Sequence, residues 1–241
     1  MDRSVYAAMA ADEGKHWWFV SRRRVLEALI ARRAAPQAGA HVLDMGCGSG
    51  GNMEMLGRFG DVEGAEYDAA SREIAAERGI GPVFAGGLPD DLDVEDERYG
   101  LIGMFDVLEH IDDDVGSLRA LGAKLAPDGA LVLSVPALPW LWSGHDVAHH
   151  HYRRYTAKTL RAAIAEAGLR EDRIGYFNSV VFPLALVQRL IQKLTGLGQG
   201  AAGIPSPPVN ALLRWAFGLE RHLIGRVPMP IGLSLFAVIR R

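Results

Sequence analysis

Two stretches of the sequence hold residue types that do chemistry. The first, "VLDMGCGSGGN", sets Asp44 ahead of Gly46, Gly48, Gly50 and Gly51, with Cys47 among them. Glycines let a chain turn tightly and let a ligand lie against bare backbone. A helix opening behind such a turn offers free N–H groups to an anion. Glu66 stands about 20 residues after the first glycine, where an acid can accept hydrogen bonds from ribose hydroxyls. The second stretch, "SGHDVAHHHYRRYT" from Ser143 to Thr156, crowds four histidines with Asp146, Arg153, Arg154 and two tyrosines. Those residue types suit a metal site, acid/base chemistry, or a polar loop tied by its own ion pairs.

The glycine turn fits two cofactors. Gly46, Gly48 and Gly51 match G-x-G-x-x-G, which suits a dinucleotide. Asp44 speaks against that, because a carboxylate immediately before the turn repels a pyrophosphate. The same carboxylate attracts an ammonium or a sulfonium, and S-adenosylmethionine carries both. A purely structural glycine turn with no ligand is the third reading.

These residues need a scaffold, and the surrounding pattern supplies one. "HWWFVSRRRVLEALIARRA" reads as a helix ended by Pro36 and Gly39. "HVLDM", "DVEGAEY", "GPVFAG", "GLIGMFDV" and "GALVLSVPA" read as strands. "GNMEMLGRF", "AASREIAAERG" and "DVGSLRALGAKLA" alternate with them as helices. That alternation predicts a parallel sheet with helices on both faces. Beyond Thr156 the pattern gives a helix, a strand "LREDRIGYFN", and an apolar helix Ser179–Leu194. A linker-like "GLGQGAAGIPSPP", a helix "VNALLRWAFGLERHLI" and a closing strand "GLSLFAVIRR" follow.

Composition narrows the function. The chain has 241 residues, 49% of them hydrophobic, and a net charge of −3. A core is available, and no global field exists to grip nucleic acid. The single cysteine excludes an intrachain disulfide and fits a reducing compartment. The first residues are charged throughout, without an apolar signal core, and "VVFPLALV" is too short to span a bilayer. A soluble, cytoplasmic protein is expected.

"VLDMGCGSG", "GAEYD", "FDVLEHIDDD" and "LAPDGALVLSVPA" resemble, in order, the successive motifs of class I S-adenosylmethionine-dependent methyltransferases. "HWWF", "HDVAHHHYRRYT" and "MPIGLSLFAVIRR" resemble a type-11-like bacterial subgroup, which extends the likeness to nearly the whole chain. The resemblance implies a Rossmann-like, seven-stranded, mostly parallel sheet with helices on both faces. Its last strand is antiparallel, with a helical insertion before it. It also implies a single methyltransferase domain over 1–241, with an N-terminal helical flap at 1–36, a helical cap at 178–231, and S-adenosylmethionine as donor. Carried over, Asp44, Gly46, Cys47, Gly48 and Gly50 would hold the methionine end. Glu66 would hold the ribose, Tyr67 would lie beside the adenine, and Asp106 would lie near the reacting centre. Two departures stand out. Gly100 sits where the family often has Asp, and Gly86, Gly87 and Leu88 sit where it often has a polar adenine contact. Adenine is then expected against the backbone and apolar surface of Gly87 and Leu88.

The subgroup's loop usually reads D-x-x-x-G-H-x-R-R-Y, here Asp146, His150, His151, Arg153, Arg154 and Tyr155, with His150 in place of the glycine. A metal group would draw on His145 and His149 with Asp146 or His151. Consecutive histidines point their rings apart, and no H-E-x-x-H or cysteine partner is present, so no metal is expected. As acid/base groups, His151 or His110 of "LEHI" would take the acceptor's proton. As a purely structural loop, Arg153 and Arg154 would pair with Asp146 or with Asp112–Asp114. Trp18, Arg22, His145 and Tyr155 are expected on the substrate side, with Arg22 or Arg23 reaching an anionic group. The aromatics of "HWWF" equally suit a core.

The acceptor is expected to be a small molecule, methylated on O or N, with a hydrophobic or lipid-linked compound as one class. Nucleic acid is disfavoured, because no Asn/Asp-Pro-Pro-aromatic signature follows the fourth strand and no basic arm exists. The two apolar helices of the cap suit packing on the sheet, a dimer face, or peripheral membrane contact through Arg189 and Lys193. A monomer or homodimer is expected. An NAD-dependent oxidoreductase and a non-catalytic S-adenosylmethionine-binding protein are the alternatives from other classes.

Overall fold

The computed structural model describes residues 12–187 and 204–241. Seven strands form one sheet in the order β3-β2-β1-β4-β5-β7-β6. They are β1 His41–Met45, β2 Asp61–Glu66, β3 Val83–Ala85, β4 Tyr99–Phe105, β5 Leu125–Pro136, β6 Arg170–Phe177 and β7 Ser234–Arg240. β1 to β5 pair in parallel, and β7 runs antiparallel to both its neighbours. The expected fold class is therefore the one observed.

Strand alternation explains the layers. Val42, Leu101, Val132 and Val238 point to one face. Leu43, Ile102, Leu131, Leu133, Ala237 and Ile239 point to the other. With both faces apolar the strands read as continuous hydrophobic runs, and each face needs helices to cover it. The first face is covered by α1 Trp17–Arg33, through Val25, Leu26, Leu29 and Ile30, and by the short α2 Met53–Leu56. Ala75 of α3 Ala69–Glu77 packs there too. The second face is covered by Leu118 and Leu121 of α4 Asp114–Lys124. A five-residue α5, Gly144–Ala148, opens the histidine stretch. Beyond it, α6 Ala157–Glu166 adds Leu160 and Ile164 to the second face.

Between β6 and β7 the described chain is helical at 182–187 and over α7 Pro207–Gly218. α7 lies on α1: Asn210 Oδ1 accepts from Trp17 N at 2.8 Å, and Ser21 Oγ donates to the Arg214 carbonyl at 2.9 Å. Arg189 and Lys193, with the rest of 188–203, lie outside the described residues. Among the described residues no helix is long and apolar enough to cross a membrane.

Three elements differ from expectation. The helix expected over "GNMEMLGRF" is only Met53–Leu56, capped at Gly57. β5 begins at Leu125 rather than Gly129, because Leu125 still pairs with Tyr99 across a register shift. Pro207 and Pro208 open α7 instead of ending a linker. Proline is tolerated in a helix's first turn, where its missing N–H has no intrahelical partner to lose.

Candidate active site

The parallel register puts the carboxyl ends of β1, β2, β4 and β5 along one edge of the sheet. Asp44 pairs with Gly64 of β2 and Gly103 of β4, so the turn after Met45, Glu66 and Asp106 open on the same side. Gly46 N and Cys47 N both donate to the Ala65 carbonyl, at 2.8 and 3.1 Å, which ties the turn to β2. Gly46 holds φ +71°, and a Cβ there would run into Val107. Gly48 holds φ +54°, and a Cβ there would meet nothing within 4 Å. Bare backbone thus faces open space at Gly48.

Two acids border this space. Asp44 is 1% exposed and its Oδ2 has no hydrogen-bond partner. Burial pushes its carboxyl up to about 7, with Glu66 adding to the rise and Arg22 opposing it. Glu66 Oε2 accepts from Gly48 N at 2.8 Å, and Oε1 accepts from Asp68 N at 2.9 Å. Each oxygen keeps a second lone pair for another donor. Cys47 is buried, and burial followed by the charges of Asp44 and Glu66 drives its thiol well up, so it is no nucleophile at neutral pH. Tyr67 is exposed, and its ring lies against Gly87, where a Cβ would sit 3.2 Å from Tyr67 Cδ2. Leu88 is half-buried and packs against the core behind that turn.

Sequence reading missed Glu13. Its carboxylate accepts from Ser49 Oγ at 3.2 Å, pairs with Arg78, and fills the space where Gly51 would carry a side chain. The helix behind the turn is a single turn long, and a carboxylate already stands before it. The expected anion site at that helix start is therefore poorly placed for a second negative charge.

α1 supplies the cation instead. Arg22 Nη2 lies 2.6 Å from Asp106 Oδ2 and donates to Ser134 Oγ at 2.9 Å. Ser134 Oγ donates in turn to Asp106 Oδ1 at 3.0 Å. The guanidinium sits 5.1 Å from the Trp18 ring and 5.7 Å from Phe105. Trp18 and Arg22 thus meet the donor edge, whereas Trp17 packs on Phe217 of α7. Arg23 turns away to the Glu13 carbonyl. Clefts of about 530 and 710 Å³ open along the outer side of α1, bordered by Arg24 and Trp215 and by Arg23 and Arg58; Asp44 and Glu66 border neither. Gly100, the first departure, has a physical cause: a Cβ there would lie 2.8 Å from Ala40 Cβ and 3.2 Å from Pro36 Cβ.

The histidine stretch follows β5 and folds back on the turn after β4. Asp146 is fully buried. It accepts from Arg154 Nε at 2.6 Å, Arg154 Nη2 at 3.0 Å and Ser143 N at 2.9 Å. Those donors outweigh burial and hold its carboxyl below the usual range. Asp146 Oδ1 also lies 3.1 Å from His151 Nδ1. Arg153 pairs with Asp114 at 2.9 Å and donates to the Asp112 carbonyl at 2.6 Å. So the ion pairs of a structural loop are present, and they also brace one imidazole. Tyr152 N donates to the Glu109 carbonyl at 2.8 Å, which brings His151 to His110, ring centroids 4.6 Å apart. Burial, with His151 next, lowers His110 to about 4.

Of the residues weighed for a metal group, Asp146 is already taken up by Arg154 and Ser143. The side chain of His145, in α5, lies outside the described residues. Tyr155, expected on the substrate side, is 2% exposed, and its hydroxyl donates to Asp114 Oδ2 at 2.8 Å. Core packing and that bond give it an anchoring place under the loop. Glu109 was passed over because "LEHI" reads as an ordinary strand exit. It is 1% exposed, and burial, followed by Asp106, drives its carboxyl well up.

A sheet of this order with a reversed seventh strand, bearing a glycine turn between two acids, defines a Rossmann-like methyltransferase whose donor is S-adenosylmethionine. The chain belongs to the methyltransferase-domain family, whose profile matches residues 18–172, more than half of its length. It is 30% identical over 176 residues to a ubiquinone biosynthesis O-methyltransferase of Cereibacter sphaeroides, covering 64% of this chain and 70% of that one. In further proteins of that name from Parvibaculum lavamentivorans and Azorhizobium caulinodans the matched share falls to 63% and 43% of their length. Among solved structures, the methyltransferase bound by the Trm112 activator of Haloferax volcanii superposes with TM-score 0.63 at 18% identity, over 98% of this chain and 94% of that one. The nicotinamide-dependent and non-catalytic alternatives find no support in these likenesses.

Proposed function

We propose that the protein transfers a methyl group to an oxygen of a small, apolar hydroxyl compound. When bound, S-adenosylmethionine supplies a methyl group on a sulfonium; moving it to oxygen leaves a neutral thioether, and the acceptor hydroxyl must lose its proton. Asp44, with its unpartnered buried oxygen, fits the donor's ammonium. Glu66 fits the ribose, and Gly48 leaves room for the chain between them. Arg22 is the cation for a carboxylate at this edge.

The single observation that carries the oxygen reading is the Asp146–His151 pair beside His110 and Glu109. An imidazole held through Nδ1 by a buried, ionised carboxylate presents Nε2 as a fixed acceptor, which suits hydroxyl deprotonation. The Glu109 carbonyl, three residues after Asp106, accepts from Tyr152 N in the loop at 2.8 Å, so the two groups of residues adjoin. The names of the relatives support O-methylation. Exposed Val209, Leu212 and Trp215 on α7 suit an apolar acceptor or a membrane surface that carries one. The buried free thiol of Cys47 suits the cytoplasm.

The test is methyl transfer from labelled S-adenosylmethionine to a panel of phenols, catechols and aliphatic amines, with products assigned by NMR. Methyl ethers from the hydroxyl compounds are expected. Products methylated only on nitrogen or carbon would overturn the reading.

A further inference from the structure

Among the described residues one group of side chains offers metal-ligating atoms at close range. Glu109, His110 and His151 each offer one such atom, and these all lie within 4.8 Å of one another. An ion with bonds of about 2.1 Å needs its ligand atoms roughly 3.0–3.4 Å apart, so modest side-chain rotation closes the group. Glu109 and His110 are neighbours in the single 3-10 turn Leu108–His110, and His151 arrives from the loop after β5.

Two independent observations point from this cluster to a ligand. The first is Glu109 Oε2, which is buried without any hydrogen-bond partner. Buried polar atoms are nearly always paired, and an orphan calls for a partner such as an ion. The second is the bracing behind the imidazoles. Asp146 stands behind His151 at Nδ1 and is itself fixed by Arg154 and Ser143. His110 is hydrogen-bonded to the His149 backbone. A carboxylate or carbonyl hydrogen-bonded to one ring nitrogen is the usual support of a histidine that binds metal through the other.

We infer that Glu109, His110 and His151 bind one divalent transition-metal ion, and that this ion receives the acceptor hydroxyl. Two imidazoles and one carboxylate leave coordination positions open, and the mixed nitrogen and oxygen set suits Zn²⁺, Co²⁺ or Mn²⁺. What the ion does rests on the oxygen-methylation reading above; that it binds does not. On coordination the hydroxyl proton passes to solvent water, the oxygen gains nucleophilic character, and its bond to the methyl carbon forms as the carbon–sulfur bond breaks. With the ion bound, His151 serves the same deprotonation by holding the ion instead of taking the proton itself, and Asp146 is a positioning residue behind it. An acceptor with two adjacent hydroxyls, able to chelate, is favoured over a simple phenol.

The test titrates Co²⁺ into the chelator-treated full chain and follows the visible absorption of the ion, alongside methylation of a catechol. The expected result is one ion per chain, with affinity at least about tenfold weaker in Glu109→Gln, His110→Ala and Asp146→Asn. Unchanged binding of S-adenosylhomocysteine serves as the folding control. Absence of a one-to-one band in the wild type, or equal affinity in Glu109→Gln and His110→Ala, overturns the site. Catechol ethers formed equally with and without chelator overturn the ion's part in the reaction and leave the oxygen reading standing. Stoichiometric Co²⁺ binding without any methyl ether retains the site and overturns the oxygen reading.

Discussion

Replacing Asp44 by Asn separates stability from donor binding. The buried carboxyl titrates near 7 instead of 3.8. Between those values the native state keeps a proton that the unfolded chain has released, so the folded protein loses stability as pH rises through this window. At about 1.4 kcal/mol per pH unit the whole window is worth ~4 kcal/mol, of which about 2 kcal/mol falls between ~pH 5.5 and ~pH 8.5. Asn cannot ionise and escapes this loss. Thermal unfolding of ligand-free wild type and Asp44→Asn at both pH values isolates it. The variant is expected to gain on the wild type by about 4–8 °C on going from the acid to the alkaline buffer. The same variant loses the charged contact to the donor's ammonium, about 2 kcal/mol or a roughly 30-fold weaker affinity for S-adenosylhomocysteine. A Tm difference that does not change with pH would refute the buried ionisation, and unchanged affinity would refute the ammonium contact.

Glu66→Gln keeps the shape of the side chain but weakens its acceptors, and S-adenosylhomocysteine affinity by calorimetry is expected to fall about tenfold. Gly100→Asp restores the residue common in the family, yet its Cβ would press on Ala40 and Pro36; urea unfolding is expected to show a loss of about 2–3 kcal/mol. Asp146→Asn leaves the buried Arg154 guanidinium without its bidentate partner, so a loss of about 3 kcal/mol in urea unfolding is expected. In the fraction that folds, kcat is expected to fall at least tenfold with donor KM unchanged. Ser134→Ala removes the hydroxyl that Arg22 and Asp106 share, and about 1 kcal/mol of stability is expected to go with it.

The sheet was legible because its strands are short, apolar runs between turn residues, a pattern that buried parallel strands impose on sequence. The glycine turn and Glu66 were legible because backbone approach to a nucleotide constrains residue type and spacing together. The place of Glu13 beside that turn was not. Glu13 reaches Ser49 and Arg78 through folding of α1, and no local period announces such a contact. Glu109 was hidden for a similar reason. A carboxylate in a strand exit reads as a surface residue until the histidine loop packs on it and removes its water. The loop's ion pairs were legible as one of three readings, since Asp146 and Arg154 stand eight residues apart in a crowded polar stretch. That they also fix an imidazole required the fold. Gly100 looked like a defect in the motif, and the nearness of Ala40 and Pro36 shows it to be a packing requirement.

The most direct test of the account is a crystal structure of the protein with S-adenosylhomocysteine. The ligand is expected on the glycine turn, with its amino group on Asp44, its backbone contacts at Gly48 and its ribose hydroxyls on Glu66. A ligand bound elsewhere, or one that leaves the Asp44 oxygen without a partner, would contradict it.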